Sequence, residues 1–124
     1  FVLISSRGVT DPDHILNRLF GNVLVWKLKG EDYLRASGIA YTIVRPGGLL
    51  NEPGGKGEIV FAQGDPPMGE KGLFIPREDV ATICVEALKH PEARFRTVEI
   101  HRVDGTPSTD WKARFAGLKP DTAP

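Results

Sequence analysis

Cysteine is almost absent from this chain: Cys84 stands alone. One thiol forms no intramolecular disulfide, and with no second cysteine and no histidine cluster a zinc site is not expected. Cys84 lies in the apolar stretch ATICVEAL, which reads as helical with a buried thiol. A charge imbalance is missing as well. Sixteen Lys and Arg meet sixteen Asp and Glu, so no net field draws the chain to nucleic acid or to an anionic membrane. Apart from Lys27 and Lys29 the basic residues are scattered, which argues against a nucleic-acid surface. No apolar run approaches the ~18 residues of a membrane span. Phe1-Val2-Leu3-Ile4 is too short for a leader and follows no basic segment, so a cytoplasmic protein is expected. An initial methionine is also lacking. The chain opens at Phe1 inside what reads as a strand, and the expectation is a trimmed N-terminus or a piece of a longer chain.

What is present suits one globular domain: 124 residues, 40% hydrophobic and 26% charged. Phe1–Ile4 is a continuous apolar run of the kind buried on both faces of a parallel sheet. A loop follows from Arg7 to Asp13, then a helical turn over 14–19. Asn22 to Ser37 is the strongest helix, with Asn22 as N-cap and Ser37-Gly38 as the stop. At 100° per residue Val23, Lys27, Gly30, Glu31 and Leu34 share its inward face, and Lys29 points to water. A lysine on an inward face needs a carboxylate or a ligand to offset its desolvation. Ile39 to Val44 is a second buried strand that exits into a sharp loop, Arg45-Pro46-Gly47-Gly48. Strand, helix and strand at this spacing make a βαβ unit with parallel strands.

Further on, strands are expected at Glu58–Ala62, Gly72–Ile75 and Phe95–Arg102, and helices at Arg77–Lys89 and Ser108–Ala116. Gly/Pro-rich loops occupy 51–57 and 63–71. Glu78 and Asp79 fall in a helix's first turn, where the helix dipole favours them. Trp26 and Trp111 read as packing residues. His14, His90 and His101 are far apart in sequence, and none is assigned chemistry.

The segment WKLKGEDYLRASGIAYTIVRPGGLL, Trp26 to Leu50, resembles the atypical short-chain dehydrogenase/reductases, the NAD(P)H-binding proteins of NmrA-like and extended type. VLISSRG resembles the strand that ends in that family's active-site serine. FIPREDVATICVEAL resembles its late helix, and FRTVEIHRVDG its last strand and turn. The resemblance implies an α/β fold with a Rossmann-like parallel sheet that is incomplete, the C-terminal half of a doubly wound domain. Residues 1–118 would form that half and 119–124 a disordered tail. In the family a Tyr-x-x-x-Lys pair works with a serine. The lysine holds the nicotinamide ribose and lowers the tyrosine pKa, and the tyrosine is the general acid/base.

Carried onto this chain, the resemblance puts Lys27 at the lysine position and Ser6 at the serine, with Ser5 beside it at the cofactor. Pro46, Gly47 and Gly48 match the loop that passes the nicotinamide. Two departures stand out. The tyrosine position is Val23, and the glycine-rich phosphate loop, Gly-x-x-Gly-x-x-Gly, has no counterpart. The implied ligands are NADP or NAD and a small-molecule substrate, in an intact domain. Each assignment has a plainer rival: Lys27 snorkelling past Trp26 to water, serines satisfying turn backbone, and a glycine pair that merely permits a tight strand exit. The alternative function is a non-catalytic fragment or assembly subunit, self-associating or pairing with a missing N-terminal half through an exposed sheet edge.

Overall fold

Apolar and β-branched residues sit where strands are needed, and charged helix formers lie between them. In the computed structural model, which describes residues 1–69 and 72–122, they form β1 (Val2–Ile4), α1 (Ile15–Leu19), α2 (Val23–Ala36), β2 (Thr42–Pro46), β3 (Gly48–Leu50), β4 (Glu58–Ala62), β5 (Phe74–Pro76), α3 (Arg77–Lys89), a 3-10 turn (Pro91–Ala93), β6 (Arg96–Val103) and α4 (Trp111–Ala116). The main sheet has the order β1-β2-β6-β4. β1, β2 and β6 are parallel and β4 runs antiparallel beside β6. A second, two-stranded parallel sheet pairs β3 with β5. The expected βαβ unit is therefore present as β1-α2-β2, in a mixed α/β fold with a parallel-strand sheet.

Alternation along β6 decides the character of the two faces. Val98 and Ile100 join Val44, Ile75, Ile83 and Phe115 in the main core, on the side of α3 and α4. Phe61, Trp111 and Phe115 add a run of ring contacts there. On the opposite side Leu3, Leu34, Tyr41 and Ile43 form a small apolar cluster under α2. Thr97, Glu99 and His101 of β6 face that second side as well and bond to other polar side chains.

Several boundaries and exposures differ from the sequence reading. β2 starts at Thr42, three residues late, and runs through Arg45 and Pro46. Arg45 and Pro46 are strand because they pair with Glu99 and Ile100 of β6. β1 is not buried on both faces. Ile4 is 50% exposed, because β1 has only β2 as a strand neighbour among the described residues. Asn22 takes a left-handed conformation and its side chain caps nothing. Asn17 replaces it: its Oδ1 accepts from Leu24 and Val25 N–H at 2.9 and 3.2 Å, satisfying α2's open donors. Trp26 does not pack inward but stands 64% exposed with Lys29 over its ring.

Lys119 and Asp121 are held where fraying was expected. Asp121 Oδ2 accepts from Tyr41, Thr97 and Arg35, and the Lys119 N–H donates to Gln63. Residues 123–124 of the expected tail, and 70–71 of the 63–71 loop, lie outside the described part.

Candidate functional site

Parallel strands leave their carboxyl ends on one side of a sheet, and connections there meet. β1 ends into Ser5-Ser6-Arg7 and β2 into Gly47. Ser5 N–H donates to Val44 O at 2.7 Å and Arg7 N–H to Pro46 O at 3.1 Å. The serines and the Pro46–Gly48 segment named from sequence are therefore neighbours. The two serines differ in direction. Ser5 is buried and its hydroxyl donates to Glu31 at 2.5 Å. Ser6 is partly exposed and its hydroxyl donates to the Arg7 carbonyl.

Gly47 and Gly48 have a reason of their own to be small. A Cβ at position 47 would collide with the Leu73 carbonyl, and one at 48 with the Phe74 ring. Both glycines let β5 approach β3.

α2 sets the remaining groups. Its apolar residues cover a wide arc, so periodicity alone does not choose the buried line. Packing buries Leu24, Glu31 and Leu34. Gly30 is exposed, with open space where a side chain would stand. Lys27 is half-buried on the flank of this line. It makes no hydrogen bond or ion pair with a described residue.

The carboxylate one turn on is already occupied. Glu31, 0% exposed, accepts from Arg45 Nη2 at 2.6 Å, Arg45 Nε at 3.1 Å and Arg35 Nη2 at 2.8 Å, besides Ser5. Arg45 Nη1 donates to Glu99 at 3.0 Å. Burial opposes the Arg45 charge, yet the hydrogen bonds and charge of Glu31, then of Glu99, outweigh it and raise its pKa. Arg45 is therefore a fixed cation.

Beside the serines the loop after β4 folds over the loop after β1. Asp65 accepts from Gly8 N–H at 2.8 Å, Thr10 N–H at 3.1 Å and the Thr10 hydroxyl at 2.6 Å. Burial works to raise its pKa. The Thr10 and Gly8 hydrogen bonds and the Arg45 charge prevail, and hold the carboxyl below the usual range. A cavity of about 290 Å³ opens there, lined among others by Thr10, Asp11, His14 and Asp65. His14 Nδ1 accepts the Leu16 N–H, so the neutral ring carries its proton on Nε2. Arg7 reaches across to His101 Nδ1 at 3.0 Å. Burial first, then the Arg7 charge, lowers the His101 pKa.

Sequence reasoning passed over Glu31 as a hub, Arg45, Asp65 and His14. One signal was available: an arginine inside the apolar run IAYTIVRP needs a buried acid. Nothing in the sequence pointed to Asp65, which is 57 residues from Gly8.

Comparison with known proteins bears on this arrangement. Residues 1–91 match a protein family described as NAD(P)H-binding. The chain is 42% identical over 119 residues to sanguinarine reductase of Eschscholzia californica, covering 93% of this chain and 44% of that protein. It is 42% identical over 118 residues to an uncharacterised chloroplastic protein of Arabidopsis thaliana, covering 92% of this chain and 36% of the other. Its fold is similar to a putative NAD-dependent epimerase/dehydratase from Bacillus halodurans, with TM-score 0.73 and 32% identity over 95% of this chain and 51% of that one. The chain thus spans about half, or less, of the length of these relatives. The expectation of a cytoplasmic protein is overturned: four Arabidopsis relatives are chloroplastic proteins.

Proposed function

The chain belongs to the NAD(P)H-binding family matched by residues 1–91, and from that premise we propose that it supplies the ribose–nicotinamide side of an atypical short-chain dehydrogenase/reductase. One observation carries the assignment of Lys27. It is half-buried, and the carboxylate four residues on is taken up by two arginines and a serine. A partly buried lysine that pairs with no described residue is matched to a ligand's hydroxyl or anionic groups. Lys27 also lies nearer than Glu31 to the start of α2, hence toward the carboxyl ends of the strands, where ligands of open α/β sheets bind.

In this reading Lys27 holds the ribose, and Pro46, Gly47 and Gly48 offer backbone to the nicotinamide. Ser5 supports that wall from below through Glu31, and Ser6 orients the substrate carbonyl. A bound dinucleotide supplies the hydride. With Val23 in the tyrosine position, the proton has to come from another group. His14, which lines the 290 Å³ cavity and carries its proton on Nε2, donates a hydrogen bond to the carbonyl oxygen as charge develops there, and water supplies the proton. The likeness to a reductase over nine-tenths of the chain favours this function over a non-catalytic assembly subunit. The reading concerns a nicotinamide dinucleotide without choosing between NAD and NADP.

Fluorescence titration of the full-length protein with NADPH and NADH tests it. Binding is expected, with Lys27→Ala weakening it by about tenfold for the loss of a charge-assisted hydrogen bond. Saturable binding by neither nucleotide would overturn the reading.

A further inference from the structure

The elements that carry the candidate groups converge on one buried carboxylate. Glu31 belongs to α2, four residues after Lys27. It binds Ser5, at the end of β1, and Arg45, the residue before Pro46. One turn further along α2 the same contact is apolar: Leu34 packs on Tyr41, Ile43 and Leu3. Apolar packing is thus an available solution on this face. Burying charges there is no gain in stability, because well-packed hydrophobic residues of similar volume do as well or better. What ion pairs add is direction. An Arg–carboxylate pair fixes angle as well as distance, so Glu31 sets both the rotation of α2 and its height against β1 and β2.

We propose that Glu31 is a positioning residue, which orients Lys27, the Ser5-Ser6 turn and the Pro46–Gly48 segment relative to one another for a nicotinamide dinucleotide. This rests on the dinucleotide reading above. It assigns Glu31 no contact with ligand; its effect passes through Ser5, Arg45 and the setting of α2.

The test uses the full-length protein, with dinucleotide affinity and melting temperature measured together. Glu31→Gln keeps the volume but turns amide hydrogens toward the arginines. Its Kd is expected to rise by about tenfold or more, as for a displacement of roughly 1 Å in a preorganised site. Asp121→Asn cuts the same network at its far side, where Asp121 bonds Arg35, Tyr41 and Thr97. It is expected to lower the melting temperature and leave Kd unchanged. The triple variant Glu31→Leu/Arg45→Met/Glu99→Leu covers the case in which Glu31→Gln does not fold. It should melt above Glu31→Gln while its Kd stays weak. Affinity at the wild-type level in either Glu31 variant overturns the positioning role alone. So does an Asp121→Asn loss of affinity equal to that of Glu31→Gln. If the wild type binds no dinucleotide, the functional reading falls and this one with it.

Discussion

Replacing Arg45 by Met should be among the most damaging single changes in this protein, although it puts an apolar side chain in a buried place. Arg45 is 6% exposed, and both its partners, Glu31 and Glu99, are 0% exposed. Its loss removes two hydrogen bonds from Glu31 and one from Glu99. Glu31 keeps Ser5 and Arg35. Glu99 keeps only the Asp65 N–H on Oε1, and its other oxygen has no partner among the described residues. Stranding one partner of a buried pair costs about 3–5 kcal/mol. Here Glu99 loses its hydrogen-bonded cation while Glu31 keeps Arg35, and the middle of that range, about 4 kcal/mol, applies. For a domain whose whole stability is roughly 5–15 kcal/mol, that is about a quarter or more. Urea unfolding followed by tryptophan fluorescence reads it directly. With a slope of roughly 2 kcal/mol per molar, the midpoint falls by about 2 M and the slope stays constant. The triple variant that removes both acids as well should recover part of the loss, since no carboxylate is then left without its cation, while Arg7 gives up the Glu99 charge. A midpoint shift below about 0.5 M for Arg45→Met, or a triple variant no more stable than the single, would refute the view that this network is dry and mutually dependent.

Three further outcomes can be measured. Burial, then the hydrogen bond and charge of Asp121, push the Tyr41 phenol up to about 12 from 10.0. Its neutral form is favoured by the fold, so this contribution to stability is whole below pH 10.0 and is lost as pH rises toward about 12. Absorbance at about 295 nm should show one phenol ionising late, and in Asp121→Asn earlier. His101 behaves in the opposite sense. Its pKa lies below 6.5 through burial and the Arg7 charge, so its contribution is whole above pH 6.5 and disappears as pH falls through the lowered value. His101→Asn should therefore flatten the pH dependence of the urea midpoint just below neutrality; an unchanged slope would rule the pair out. Gly47→Ala has no room beside the Leu73 carbonyl and is expected to cost about 1–3 kcal/mol by overpacking, while Gly30→Ala, in open space on α2, should stabilise by about 0.5–1 kcal/mol. Equal melting temperatures for the two variants would contradict this.

The elements with a strong local pattern were readable from the chain. Glu58–Ala62 and Arg77–Lys89 coincide with β4 and α3, because alternation and helix-start residues mark both ends. α2 was legible in length and not in orientation. Val23, Leu24, Val25, Leu28 and Leu34 leave several arcs open, and the neighbouring strands choose one. Of the two charges expected on the inward face, Glu31 is buried and Lys27 lies on its flank. Of the named site residues, Ser5, Ser6, Pro46, Gly47 and Gly48 do come together at the ends of β1 and β2. His14 was assigned no chemistry from sequence, because the cavity it lines depends on a loop that Asp65 pulls in from far along the chain.

By itself the sequence determined the α/β alternation, the parallel β1-α2-β2 unit and the likeness to NAD(P)H-binding proteins, since these rest on local periodicity and on a contiguous motif. The tertiary structure alone decided which charges are buried and with whom. That choice depends on partners brought from α2, β2 and β6 into a buried region, where Arg45 pairs with both Glu31 and Glu99, while Lys27 lies on the flank of α2.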